Sequence, residues 1–166
     1  MKPEEKRIVE NLNLKPHPEG GFYNENYRSH ISIAEKNLPE TFGGKRSAAT
    51  SILFFLPEGA FSAFHRLKQD EIWYFHAGNQ PILHCIEPDS TYRKCVLGTG
   101  IRKDEYPQVI INAGTLFAAE SNQSFGLFGC LATPGFDFAD LSMPTAAQLI
   151  KEYPEHEKLI RRFTRS

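Results

Sequence analysis

The chain carries almost no net charge. Its 19 Lys and Arg residues and 20 Asp and Glu residues leave a formal charge of −1 at pH 7. This balance gives no electrostatic basis for binding nucleic acid or an anionic membrane. The chain also lacks any apolar run near the roughly 20 residues that span a bilayer. Its N-terminal segment has no continuous apolar stretch of the kind found in signal peptides. We therefore expect no nucleic-acid partner and no membrane partner.

Cysteine is scarce, and internal repeats, low-complexity tracts and linkers are missing. The three cysteines, Cys85, Cys95 and Cys130, are odd in number and show no zinc-like spacing. We expect buried free thiols. Because disulfides are rare in reducing compartments, we also expect a cytoplasmic location. A length of 166 residues predicts a single domain over residues 1–166.

Aromatic residues, in contrast, are abundant: the chain has 13 Phe, 6 Tyr and 1 Trp. Such side chains supply buried area and often line pockets. Short apolar or alternating segments, separated by turn residues, predict strands at residues 22–33, 48–56, 71–77, 82–86, 92–97, 108–112, 115–119 and 125–133. This pattern is typical of an antiparallel sandwich or barrel. Residues 3–14 predict a short helix, and residues 144–162 predict helical structure interrupted at Pro154.

One stretch of the chain has a recognisable spacing. In residues 59–78, Gly59, His65, Glu71 and Gly78 follow one another at the intervals of the first cupin signature. Further segments, HPEGGFY at 17–23, NYRS at 26–29 and TPGFDFAD at 133–140, resemble the cupin family known as cupin 5 or domain of unknown function 985. The resemblance implies an all-β fold, a cupin-type jelly-roll β-barrel with short N-terminal and C-terminal helices, in a protein that is often dimeric.

The resemblance also implies a place for a metal, which three histidines and one carboxylate hold in metal-binding cupins. The second histidine of that signature is replaced here by Leu67, and Phe117 stands where the third would fall. Neither side chain can ligate a metal. We therefore expect no cofactor, with His65 and Glu71 as weak candidates for an adventitious divalent ion.

Metal-free cupins of the sugar-epimerase type use a histidine as general base. That similarity implies His65 as the base, Glu71 or Asp70 as its orienting carboxylate and a tyrosine as the acid. A base with a pKa near neutrality suits proton removal next to a carbonyl. Three tyrosines are open for the acid, namely Tyr23, Tyr27 and Tyr74, and the predicted catalytic set is His65, Glu71 and Tyr27.

The predicted function is binding of a small polar ligand, such as a sugar derivative, with epimerase or isomerase activity on a sugar or sugar nucleotide. The predicted ligand-binding residues are Glu19, Tyr23, Arg28, Trp73, Gln108 and Phe117. Two alternatives stay open. One is a non-catalytic ligand-binding or structural cupin, in which His65 is only hydrogen-bonded to Glu71. The other is a metal-dependent enzyme with a rearranged ligand set that recruits His76, His84 or Gln108.

A homodimer is also predicted. The extended, aromatic N-terminal strand offers an edge that a second copy could pair with.

Overall fold

The computed structural model describes residues 1–100 and 105–165. Its helices are α1 (Pro3–Asn11), α2 (Ala146–Glu152) and α3 (Glu157–Arg162). Its strands are β1 (Lys15–Pro16), β2 (Phe22–Arg28), β3 (Ser32–Ile33), β4 (Arg46–Ser47), β5 (Thr50–Leu56), β6 (Ala60–Leu67), β7 (Asp70–Gly78), β8 (Ile82–Ile86), β9 (Tyr92–Leu97), β10 (Glu105–Tyr106), β11 (Gln108–Ile111), β12 (Leu116–Ser121), β13 (Gly126–Thr133) and β14 (Leu141–Ser142).

Most strands belong to two six-stranded sheets. The first sheet has the order β1-β2-β5-β13-β7-β11, and the second has the order β10-β9-β8-β12-β6-β14. The short pair β3 and β4 lies outside both. Neighbouring strands run antiparallel except β9 and β10. The structure confirms the predicted all-β architecture with short helices at both ends.

The main core is built from alternate residues of both sheets. Phe54 and Trp73 from the first sheet meet Leu83, Cys85 and Phe117 from the second. Successive side chains of a strand point to opposite faces, so this alternation buries one face of each sheet. All three cysteines are free and buried, as predicted.

The C-terminal helices cover the outer face of the second sheet. Leu149, Ile160 and Phe163 pack there against Phe64 and Leu116. Thr145 begins α2 with a capping box, and the predicted interruption follows α2, where Pro154 opens a single 3₁₀ turn before α3. Among the described residues, the helices lack the length and apolar character needed to cross a membrane.

Two of the β-bulges change which side chains face the candidate site. In β2 the register shifts between Glu25 and Tyr27, which pair with consecutive residues of β5. One extra residue therefore lies in β2, and side chains after it switch faces. A second shift places one extra residue in β6 between Ser62 and His65. Both bulges lie in strands that form the candidate site.

The outer edge of β2 is partly covered. β1 pairs with β2 at Phe22 and Tyr23, and among the described residues no strand pairs with the later part of β2 on that side. The homodimer expected through this edge stays a prediction.

Candidate active site

A cavity of about 410 Å³ lies between the two sheets. It is near the small end of the roughly 300–1,000 Å³ that ligand pockets usually occupy. Its walls come from β2, β5, β7 and β13 of the first sheet, from β6 of the second and from the chain segments before β2 and after β13. The lining residues are Lys15, His17, Glu19, Tyr23, Glu25, Arg28, Thr50, Ile52, His65, Leu67, Glu71, Cys130, Ala132, Phe136, Asp137 and Phe138.

His65 has both ring nitrogens engaged. Its Nδ1 lies 2.8 Å from the carbonyl oxygen of Ala63. A carbonyl oxygen only accepts hydrogen bonds, so Nδ1 carries a proton. The Nε2 atom lies 3.1 Å from Oε2 of Glu19. The ring is fixed further by Phe117, whose centroid is 4.0 Å away.

Glu19 is held by the turn between β1 and β2. Its Oε1 accepts a 2.9 Å hydrogen bond from the Ser62 hydroxyl, and its carbonyl oxygen accepts one from the Ala63 amide. The next residue, Gly20, has φ of +113°, and a Cβ there would lie 2.5 Å from the carbonyl oxygen of Phe61. A residue with a side chain would therefore displace Glu19 from His65.

Glu19 and His65 share one proton. With Nδ1 protonated, Nε2 and Oε2 would present lone pairs to each other unless a proton lies between them. Burial lowers the pKa of His65 and raises that of Glu19. Both shifts favour the neutral forms, in which the Glu19 carboxyl group donates its hydrogen to Nε2 of His65. The pair thus adds no net charge to the cavity.

Glu71 has one oxygen free. Its Oε2 accepts a 2.8 Å hydrogen bond from Nε1 of Trp73. Its Oε1 has no hydrogen-bond partner among the described residues, although the side chain lines the cavity and the residue is only 9% exposed. Burial, the largest cause, raises the pKa of Glu71 to about 7. This carboxyl group can therefore exchange a proton near neutral pH.

The structure brings most of the predicted site residues together. His65, Glu71, Glu19, Tyr23 and Arg28 all line the cavity. Trp73 and Phe117 lie in the core behind the lining, where Trp73 binds Glu71 and Phe117 packs on His65.

Two predicted residues lie elsewhere. Tyr27 is 53% exposed and outside the cavity, because the bulge in β2 moves it to the outer face and brings Arg28 inward instead. Gln108 is exposed on the edge strand β11, where its buried neighbours Val109 and Ile111 occupy the inward positions. It lines a separate surface depression with Arg93 and Tyr106.

Asp70, the alternative orienting carboxylate for His65, and Arg66, its neighbour along the strand, do not line the cavity. Asp70 accepts a hydrogen bond from the backbone amide of Ala113. Arg66 points outward, as its strand position predicts, and pairs with Glu152 on the surface.

Sequence reasoning missed His17 and Ser62. The His17 side chain is 7% exposed, and its Nδ1 accepts a 3.4 Å hydrogen bond from the Glu19 amide. Ser62 reaches Glu19 through the bulge in β6. The HPEGG segment points to this part of the cavity, but the sequence analysis predicts only Glu19 from it as a site residue.

Comparison with known proteins identifies the family to which this chain belongs. The family model described as cupin superfamily (DUF985) matches residues 6–144. The chain belongs to this family. Its strand arrangement is the cupin jelly roll.

Solved structures agree with this assignment. A hypothetical protein from Leishmania major is 31% identical, with 97% of this chain and 98% of that chain covered and a TM-score of 0.87. A protein from Shewanella oneidensis is 34% identical, with 99% of both chains covered and a TM-score of 0.87. Oxalate decarboxylase from Bacillus subtilis is 12% identical, with a TM-score of 0.55 over 89% of this chain and 36% of that one, and shares the fold alone. No curated protein matches the chain.

The side chains of this cupin do not fit the usual cupin metal site. Leu67 lines the cavity, Phe117 packs on His65, and Nε2 of His65 faces Glu19. Within residues 1–100 and 105–165, no group of three or more His, Cys, Asp or Glu side chains is arranged to hold a metal ion.

The other candidate histidines do not supply a ligand set either. His84 binds Tyr92 and Glu120 beside the helical layer. His76 does not line the cavity; its ring lies over the Cα of Gly129.

The C-terminal segment after residue 144, where the family match ends, also helps to hold the site in place. Arg165 donates hydrogen bonds to the carbonyl oxygens of Glu19 and Phe61, and its guanidinium group lies 4.7 Å from the Phe61 ring centroid. The amide of Phe64 donates to the carbonyl oxygen of Phe163. The C-terminal residues thus hold the Glu19 turn against β6.

Proposed function

We propose that this cupin binds a small polar molecule in the cavity and isomerises it, without a metal, by moving a proton at a carbon next to a carbonyl group. The observation that carries the proposal is the free Oε1 of Glu71 in a largely buried cavity, beside a Glu19–His65 pair that holds one proton. A base and a hydrogen-bond donor in one cavity are the two groups that enolisation needs.

Glu71 acts as the base in this proposal. Its Oε1 accepts the proton from carbon, and the bonding pair moves into the carbonyl group to form an enolate. As the enolate forms, the hydrogen of the Glu19 carboxyl group changes its acceptor from Nε2 of His65 to the enolate oxygen and stabilises the charge there. An isomer forms when the hydroxyl proton on the deprotonated carbon passes to the enolate oxygen and Glu71 returns its proton to the former carbonyl carbon. Return of a proton from the Tyr23 hydroxyl to the opposite face gives an epimer, after which Glu71 and Tyr23 recover their protonation states from water.

The role of His65 therefore differs from the one expected from sequence. A histidine with Nδ1 bonded to a carbonyl and Nε2 bonded to a carboxyl group has no free nitrogen to take a proton from substrate. We assign His65 to the proton-sharing pair and give the role of base to Glu71. Tyr23, which lines the cavity, replaces Tyr27 as the acid.

A non-catalytic binding role is the second candidate. It is favoured by the Glu19–His65 pair, which satisfies both side chains without a substrate. A purely structural role is less well supported. The interior of such a barrel would be filled by side chains, whereas this barrel contains a cavity of about 410 Å³. The cytoplasmic location and the homodimer predicted from sequence are retained as parts of the proposal.

Solvent exchange tests the proposal. The protein is incubated in D₂O with a set of aldoses, ketoses and keto sugars, and proton NMR follows the signal of the C–H group beside each carbonyl. We expect that at least one sugar loses this signal faster than in buffer alone. Saturation-transfer NMR on the same samples measures binding. Binding of a sugar without exchange would support the non-catalytic role, and the absence of both would contradict the two candidates together.

A further inference from the structure

Acidic side chains outnumber Lys and Arg side chains in the lining of the cavity. Four carboxyl groups, those of Glu19, Glu25, Glu71 and Asp137, face two cations, Lys15 and Arg28. The Glu19–His65 pair is neutral overall, whichever partner holds the shared proton. Three carboxylates and two cations remain once Glu71 is ionised. A charged ligand will therefore meet a surplus of negative charge.

The two cations are already engaged or lie at the rim. Both oxygens of Glu25 accept hydrogen bonds from Arg28, at 2.8 and 2.7 Å, and Arg28 also donates to the carbonyl oxygen of Phe136. Lys15 is exposed, and its Nζ lies 4.9 Å from the ring centroid of Tyr23. An anionic ligand would have to displace Glu25 from Arg28 or stay at the rim beside Lys15.

Glu71, in contrast to these two cations, lies inside the cavity and has an oxygen available to a ligand. It is nine-tenths buried, and its Oε1 has no partner among the described residues. A carboxylate in so enclosed a position is poorly hydrated, and an ammonium group on a ligand would stabilise its charge through a charge-assisted hydrogen bond. An anion in the same place would add like-charge repulsion.

Aromatic rings form part of the wall of the same cavity. His17 stacks on Phe138 with centroids 6.1 Å apart, and Phe136 meets Phe138 edge-on at 5.0 Å. Phe138 is 52% exposed, so core packing does not account for its position. Aromatic faces attract cations, and the contact of Lys15 with Tyr23 shows this attraction within the cavity itself.

We propose that the cavity selects a small polyhydroxylated amine, with its ammonium group on Glu71, and rejects anionic ligands such as phosphorylated sugars. This inference rests on the proposed function only in placing the ligand beside Glu71, whose Oε1 offers one lone pair to the ammonium group and a second to the reacting C–H group. It narrows the expected ligand from sugar derivatives in general to amino sugars and related amino polyols, and it excludes sugar nucleotides.

Three matched six-carbon polyols test the selection: D-glucamine, D-glucitol and D-gluconate, which differ only in the ammonium, hydroxyl or carboxylate group at one end. Binding is measured at pH 8 by the fluorescence of Trp73, the one tryptophan of the chain, whose indole contacts Glu71. Ligand-observed NMR provides a second readout. We expect D-glucamine to bind about tenfold more tightly than D-glucitol, as one charge-assisted hydrogen bond allows, and D-gluconate to bind most weakly.

The substitution Glu71→Gln should bring the ratio of D-glucamine to D-glucitol affinity to about one, because it removes the charge and keeps the shape. Glu40→Gln, at an exposed acid outside the cavity, should leave the ratio unchanged. Equal or tighter binding of D-glucitol or D-gluconate to the native protein would overturn the inference, as would a preference that survives Glu71→Gln or the absence of binding by all three. A neutral sugar that exchanges deuterium while D-glucamine shows no preference would overturn the selection and leave the proposed reaction intact.

Discussion

Replacing Glu71 with glutamine is expected to lower the rate of deuterium exchange into a bound sugar by roughly 10²- to 10⁴-fold, the usual contribution of a positioned general base. Glutamine has nearly the same shape, and its amide oxygen can still accept the hydrogen bond from Trp73. It cannot take a proton from carbon. The rate is measured by proton NMR in D₂O with the sugar that the native protein exchanges fastest.

The control for this experiment is Glu40→Gln, which changes the formal charge equally at an exposed position. Its exchange rate should equal that of the native protein. Ligand binding by the Glu71→Gln protein, followed by saturation transfer, separates loss of chemistry from loss of binding. An exchange rate within about twofold of native in the Glu71→Gln protein would remove Glu71 from the role of base.

The same substitution is expected to stabilise the fold at alkaline pH. Burial raises the pKa of Glu71 from its ordinary 4.5 to about 7. Between these values the folded protein binds this proton more tightly than the unfolded chain does. The contribution of Glu71 to the free energy of unfolding is therefore fully present below pH 4.5 and lost as pH rises through 7. The loss is roughly 3 kcal/mol at pH 8, since one pKa unit corresponds to about 1.36 kcal/mol.

Glutamine does not ionise and escapes this loss. Urea titrations give the free energy of unfolding of both proteins at each pH. The value for the Glu71→Gln protein minus the value for the native protein, called the margin here, should grow between pH 4 and pH 8. The margin itself, and not the stability at one pH, is the measured quantity, because other groups titrate equally in both proteins. A margin that stays constant with pH would show that Glu71 ionises normally in the folded protein.

Sequence spacing identified two residues that the structure places in one cavity. The intervals between Gly59, His65, Glu71 and Gly78 single out His65 and Glu71, which lie on the consecutive strands β6 and β7 of different sheets. Strand alternation turns Leu67 and Trp73 to the same interior. Such local periodicity depends only on the pleat of a strand, so it can be read from one sequence.

The bulges could not be read in the same way. One extra residue in β2 replaces Tyr27 with Arg28 at the cavity wall. A bulge is fixed by pairing with a partner strand, and its position leaves no period-two signal in the strand that contains it.

The partner of His65 was also hidden in the sequence. Glu19 is 46 residues away from His65, and its turn is held by Arg165, which lies still further along the chain. Contacts at such separations depend on how the sheets and the C-terminal segment pack. The sequence offered Glu71 as the partner of His65, whereas the structure gives that role to Glu19 and leaves Glu71 with a free oxygen.

The indole N–H signal of Trp73 provides the most direct test of the account. The chain has one tryptophan, so a ¹⁵N–¹H correlation spectrum contains one indole signal, and this N–H group donates to Oε2 of Glu71. Its chemical shift, followed from pH 4 to pH 9, should titrate with a midpoint of about 7, and the Glu71→Gln protein should lose the transition. A midpoint near 4.5 would contradict the claim that a buried carboxyl group in this cavity is set to exchange protons at neutral pH.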